Sequence, residues 1–131
     1  MKTLTAKQMV ENAKQHIQEV DVYAVQKMLE DPNIIIIDVR EPIEFSTGHI
    51  AGATNIPRGV LEFKLDPESS SDYPHLQNKD IPMVVYCRSG ARSALAVQSI
   101  QLLGYHRAVS MIGGIEKWKT SNLPYTEPQL N

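Results

Sequence analysis

The sequence predicts an α/β domain, a central and largely parallel β-sheet flanked by helices, preceded by an N-terminal helical extension. Three observations carry that expectation. Residues 34–39, 83–86 and 108–112 are short, mostly apolar, β-branched runs of strand length, the mark of strands covered on both faces. Segments with helical spacing alternate with them, and strand–helix alternation puts crossover helices on a parallel sheet. A chain of 131 residues, 42% hydrophobic and 21% charged, is enough for one domain with its own core.

Residues 5–20 read as a polar amphipathic helix, with Thr5 as N-cap and Met9, Val10, Ala13, Ile17 and Val20 at helical spacing. A second short helix follows Asp21, placing Val22, Val25, Met28 and Leu29 on one face, and Asp31-Pro32-Asn33 ends it. A complete domain can form from residues 21–128. Residues 1–20 are therefore expected to be an extension that packs back on the domain or joins a dimer contact. Residues 34–39 form the first central strand, and residues 41–45 can form a short helix. Thr47 to Ala53 contains two glycines and reads as a loop. Residues 53–56 make a brief strand stopped by Pro57, and residues 58–65 another helical piece.

Residues 67–80 are rich in Ser, Asp and Pro and form the one long loop, the expected mobile region. Residues 83–86 are the second central strand. Beyond it Ser93, Ala96, Val97, Ile100 and Leu103 share one helical face, with Gly104 as the stop. Residues 108–112 are the third strand. Gly113-Gly114 introduces a last helix, whose Trp118 reads as core at helical spacing from Ile115.

The residue that demands a chemical explanation is Cys87, in Met83-Val84-Val85-Tyr86-Cys87-Arg88-Ser89-Gly90-Ala91-Arg92-Ser93. It is the only cysteine, so it has no disulfide partner in the monomer and no companion thiolate for zinc. A free cysteine is often a small buried hydrophobe. Here, however, apolar residues lie only upstream, and Arg88 to Ser93 is no core segment. In parallel α/β sheets ligands bind beyond the carboxyl ends of strands, which is where Cys87 sits. If the following residues curl around Sγ, backbone N–H groups from Arg88 to Ser93 point inward as an anion-binding nest, and the next helix adds its positive end. Gly90 suits such a tight cradle. This field favours a nucleophilic thiolate, would equally hold a negatively charged persulfide, and needs no histidine base.

Composition excludes several other classes. The net charge of −2 and pI near 6.1 argue against nucleic acid as the main partner. The longest apolar run, residues 34–37, is far short of a membrane span, and residues 1–8 lack an apolar signal core. With a lone thiol that suits a reducing compartment, the expectation is a cytoplasmic protein. His16, His75 and His106 form no metal spacing, and no cofactor is expected. His49, between two glycines of a loop, reads as structural.

These residues resemble the rhodanese (thiosulfate sulfurtransferase) family, specifically its single-domain members. Cys87-Arg88-Ser89-Gly90-Ala91-Arg92-Ser93 matches that family's Cys-Arg-x-Gly-x-Arg loop. Asp38 to Phe45 and Gly48 to Pro57 look like its two upstream signatures, and Gly113 to Trp118 like its downstream one. The order and separations agree over about residues 21–123.

The resemblance implies a rhodanese-like fold and covalent catalysis in two displacements. The Cys87 thiolate takes the sulfane sulfur of a small anionic donor such as thiosulfate. A cyanide, thiol or protein acceptor then collects it from the persulfide. Carried over by position, Cys87 is the nucleophile, the backbone of Arg88, Ser89, Gly90, Ala91, Arg92 and Ser93 is the cradle, and the Arg88 and Arg92 guanidinium groups meet the donor. Arg58 is a further donor-binding candidate, while Asp38 and Arg40 are expected to fix loops beside the site.

Related phosphatases place five residues between cysteine and arginine; here four intervene, so a phosphoryl group is expected to fit poorly. An alternative is a persulfide carrier that exchanges sulfur with partner proteins and uses thiosulfate weakly. A non-catalytic regulatory domain is disfavoured by the reactive thiol.

Overall fold

A computed structural model describes residues 3–127; Met1, Lys2 and the expected domain end at residue 128 lie outside the described residues. The three central strands form where the β-branched runs predict them: β2 (Ile35–Asp38), β4 (Met83–Tyr86) and β5 (Ala108–Met111). Two edge strands complete the sheet, β1 (Gln18–Val20) and β3 (Thr54–Asn55), in the order β1-β5-β4-β2-β3, with every pair parallel. Asp38 stands beside Tyr86, and Val85 beside Ser110, so the carboxyl ends of β2, β4 and β5 lie together.

Strand β4 is buried on both faces, and the two-residue period of its side chains divides the core into two layers. Met83, Val85 and Cys87 share one layer with Ala96, Val97 and Ile100 of helix α5 (Ala91–Leu102). Val84 and Tyr86 lie in the other, with Val22 and Val25 of α2 (Val22–Met28) and Ile115 and Trp118 of α6 (Gly114–Thr120). Cys87 thus keeps the phase of the strand, and its side chain enters the α5 layer.

The expected helix over residues 5–20 is corrected by the structure. Helix α1 (Ala6–Lys14) starts as predicted. Thr5 Oγ1 accepts from the Gln8 N–H at 3.1 Å, and the Thr5 N–H donates to Gln8 Oε1 at 2.9 Å, a reciprocal cap. The helix ends at Lys14, and residues 18–20 instead form β1 along β5. The physical reason is that Ile17 and Val20 fit a helical period by accident. The free edge of β5 offers backbone hydrogen bonds, and three residues carry too little pattern to announce an edge strand. Helix α1 packs on α5, with Ala13 fully buried.

Two short helices flank the site. Helix α3 (Pro42–Ser46) opens with proline, whose missing N–H costs nothing in a first turn. A 3-10 turn at Arg58–Val60 runs into α4 (Leu61–Leu65). The long loop over residues 67–80 contains a 3-10 turn at Pro74–Leu76, where Leu76 is buried and its carbonyl accepts from Tyr105 Oη at 2.6 Å. Among the described residues no helix is long and apolar enough to cross a membrane.

Candidate active site

Strand β4 delivers Cys87 to the carboxyl edge of the sheet, and the next six residues decide its environment. The Cys87 and Arg88 carbonyls are turned toward α6, where they accept from the N–H groups of Ile115 at 2.9 Å and Glu116 at 3.1 Å. This close approach requires a glycine. At Gly114, with φ of +60°, a Cβ would lie 2.4 Å from the Arg88 carbonyl oxygen and 2.5 Å from that of Cys87.

With those carbonyls facing outward, amides face inward. The Gly90 N–H donates to Cys87 Sγ at 3.1 Å and the Ser93 N–H at 3.4 Å. Gly90 reaches this geometry in the left-handed region, φ +109°, as the N-cap of α5. Sγ therefore faces two backbone dipoles and the first turn of a twelve-residue helix.

A hydroxyl pair lies behind the sulfur. Ser93 Oγ is 3.5 Å from Sγ, donates to the Gly90 carbonyl at 3.2 Å, and is 2.8 Å from Ser110 Oγ of β5. Both serines are fully buried. Ser110 escaped the sequence reading because one polar residue in an apolar strand has no visible partner before the strands are placed side by side.

Asp38 and Arg40 come together as a buried pair. Arg40 Nη2 donates to Asp38 Oδ2 at 2.7 Å and to the Gly48 carbonyl at 2.7 Å. Asn55 Nδ2 donates to the carbonyls of both Asp38 and Arg40. Tyr86 Oη accepts from the Ile50 N–H at 3.1 Å. Burial, reinforced by the charge of Asp38, pushes the Tyr86 phenol well above its ordinary value, so it stays neutral. This network ties residues 38–40 to 48–50 beneath the site. His49 stacks on Phe45 with ring centroids 3.6 Å apart, its Nδ1 3.0 Å from the Phe45 carbonyl.

Each of the three arginines named from the sequence meets a carboxylate. Arg92 faces the carboxylate of Glu44 on α3 through two bonds of 2.7 and 2.9 Å. The Arg92 guanidinium holds the Glu44 carboxyl down at about 2. Arg88 donates through Nε to Glu116 at 2.6 Å. Arg58 is engaged by Glu62 at 2.9 Å and by Ser99 Oγ at 3.2 Å. A cleft of about 400 Å³ lies between α3 and α6. Ile43, Glu44 and Thr47 line one wall, and Ile115, Glu116 and Lys119 the other, with Arg40 and Arg88 between them. Arg58 is not part of this lining. Cys87 itself is only 1% exposed, and Arg88 is the residue of its loop that reaches the cleft. Neither carboxylate partner was visible in the sequence, because Arg88 and Arg92 meet residues 28 and 48 positions away.

Known proteins resemble this chain in sequence and in fold. The profile of the Rhodanese-like domain matches residues 21–121. A protein of Allochromatium vinosum named sulfurtransferase is 32% identical over 114 residues, spanning 86% of this chain and 98% of its own. Among solved structures, a Rhodopseudomonas palustris protein of unknown function, described as a "Possible Tyrosine Phosphatase", superposes with a TM-score of 0.86 at 32% identity, covering 96% of this chain and 97% of that one. The polysulfide-sulfur transferase homodimer of Wolinella succinogenes superposes with a TM-score of 0.72 at 31% identity, over 92% and 85% of the two chains.

Proposed function

Because the chain belongs to the rhodanese-like domain family, we propose that it is a sulfurtransferase, carrying a sulfane sulfur from thiosulfate or a similar donor to cyanide, a thiol or a protein through a persulfide on Cys87. The observation that carries this reading is the pair of backbone N–H groups, of Gly90 and Ser93, aimed at Cys87 Sγ.

In the first displacement the Cys87 thiolate attacks the outer sulfur of the donor. The new Sγ–S bond forms as the donor's S–S bond breaks, and its electron pair leaves on sulfite. The persulfide keeps one negative charge, which the inward N–H groups and the start of α5 stabilise. In the second displacement the acceptor's lone pair attacks the outer sulfur and the thiolate is the leaving group. The sulfur-transferase names of two relatives above point the same way.

Phosphoryl transfer is the weaker reading. Only four residues separate Cys87 from Arg92, and Arg92 is committed to Glu44 rather than free for a phosphate. The carrier reading, sulfur exchange with partner proteins, gains support from the pairing of Arg88 and Arg92 with carboxylates, which leaves little open positive charge for thiosulfate.

The test is thiocyanate formation from thiosulfate and cyanide by the wild-type protein and by Cys87→Ser. Turnover that vanishes in a variant with an unchanged melting curve supports the proposal; turnover in the variant near the wild-type rate overturns it.

A further inference from the structure

Every arginine around the loop is already answered by a carboxylate. Arg40 is paired with Asp38, Arg92 with Glu44 and Arg88 with Glu116, and Lys119 lies 4.7 Å over the Tyr125 ring. Four cations thus face three carboxylates, leaving one net positive charge around a site whose reaction brings in an anion. The three pairs differ in what holds them. Asp38 and Arg40 are buried and tied to the backbone of Gly48, and Glu44 also accepts from the Glu41 N–H at the start of α3. Both carboxylates are built into the fold.

Glu116 is different. Its side chain is 53% exposed and that of Arg88 is 69% exposed. A solvated pair of this kind contributes little to stability. The attachment of Glu116 to the loop runs through its backbone N–H, which holds the Arg88 carbonyl whatever the side chain carries. Beyond its place in the first turn of α6, the carboxylate therefore has little structural duty, yet it stands on the wall of the cleft against the one loop residue that reaches it.

Resting on the sulfurtransferase reading above, we infer that Glu116, by occupying Arg88 at the cleft, selects the charge of the sulfur donor, disfavouring dianions relative to donors of lower charge. Coulomb's law makes this graded. Through a water-like dielectric over about 8 Å, removing one negative charge changes the capture of a dianion about sixfold and of a monoanion about two- to threefold. Salt screens both effects. A residue that merely shaped the loop would alter both donors alike.

The experiment compares wild type with Glu116→Gln, using thiosulfate as the dianion and methanethiosulfonate as the monoanion. Both donors give up the same sulfur, the first releasing sulfite and the second methanesulfinate. At low ionic strength kcat/KM is expected to rise about sixfold for thiosulfate and about two- to threefold for methanethiosulfonate, with both gains collapsing in 0.5 M KCl. An equal change for the two donors, or none, overturns the inference while leaving sulfur transfer intact. If intact mass finds sulfur on Cys87 from neither donor in either protein, sulfur transfer fails first, and this inference with it.

Discussion

The Ile115 N–H holds the carbonyl of Cys87 at 2.9 Å, so the helix that follows the third central strand sets the direction of the loop that follows the second. Once that carbonyl and its neighbour on Arg88 are fixed to α6, the amides of Gly90 and Ser93 are left to face the sulfur. Cys87 is thus oriented by hydrogen bonds that its own side chain does not make.

Gly114→Ala tests that dependence. The added methyl meets the backbone of Cys87 and Arg88, which cannot yield as a side chain would, and φ of +60° is itself strained for alanine. Urea denaturation should report a loss of about 2–4 kcal/mol, with slower sulfur loading of Cys87. Gly52→Ala is the control. Its φ is +85° but nothing lies within 4 Å of the added carbon, so the loss should be only about 1 kcal/mol and sulfur loading unchanged.

Ser93 and Ser110 should behave as one unit. Ser93→Ala leaves the Ser110 hydroxyl without its buried partner, while the Gly90 carbonyl keeps the Ala94 N–H, and should cost about 1–3 kcal/mol in urea denaturation. Removing Ser110 as well should add less than Ser110→Ala alone, because their shared hydrogen bond is lost only once. Strict additivity would mean that the two hydroxyls do not act together.

The Glu44–Arg92 pair predicts a pH dependence with a definite sign. Hydrogen bonding from Arg92 lowers the folded-state value of Glu44 to about 2 from an ordinary 4.5. A depressed carboxylate contributes stability that is complete above the unfolded value and is lost as pH falls through the folded one. The stability gap between wild type and Glu44→Gln should therefore be constant near pH 6 and should close between pH 4.5 and pH 2. Glu44 is 29% exposed, so the gap should be no more than about 1–2 kcal/mol after solvent screening. A gap that persists at pH 2 would contradict the ionic origin.

Much of this arrangement was legible in the sequence, and the remainder was hidden for identifiable reasons. Ile35 to Ile37 and Met83 to Tyr86 are β-branched or apolar without interruption, the mark of strands covered on both faces, and both strands form where that pattern puts them. Cys87 and Gly90 were readable because a thiol and a glycine between a strand and a helix have few other uses. The strand over Gln18–Val20 was not, since Ile17 and Val20 continue the helical spacing of Val10 and Ala13. The partners of Arg88 and Arg92 were also hidden. Helix α3 approaches Arg92 and α6 approaches Arg88 only after the sheet is assembled, and no local periodicity encodes that meeting. The sequence expectation gave both guanidinium groups to a donor, whereas in the fold each already has a carboxylate.

Mass spectrometry of the intact protein after incubation with thiosulfate, followed by cyanide, tests the account most directly. A gain of one sulfur atom, located on Cys87 by fragmentation and removed by cyanide, is the predicted result. A protein that gains no sulfur from thiosulfate, methanethiosulfonate or a protein persulfide would contradict a persulfide on Cys87.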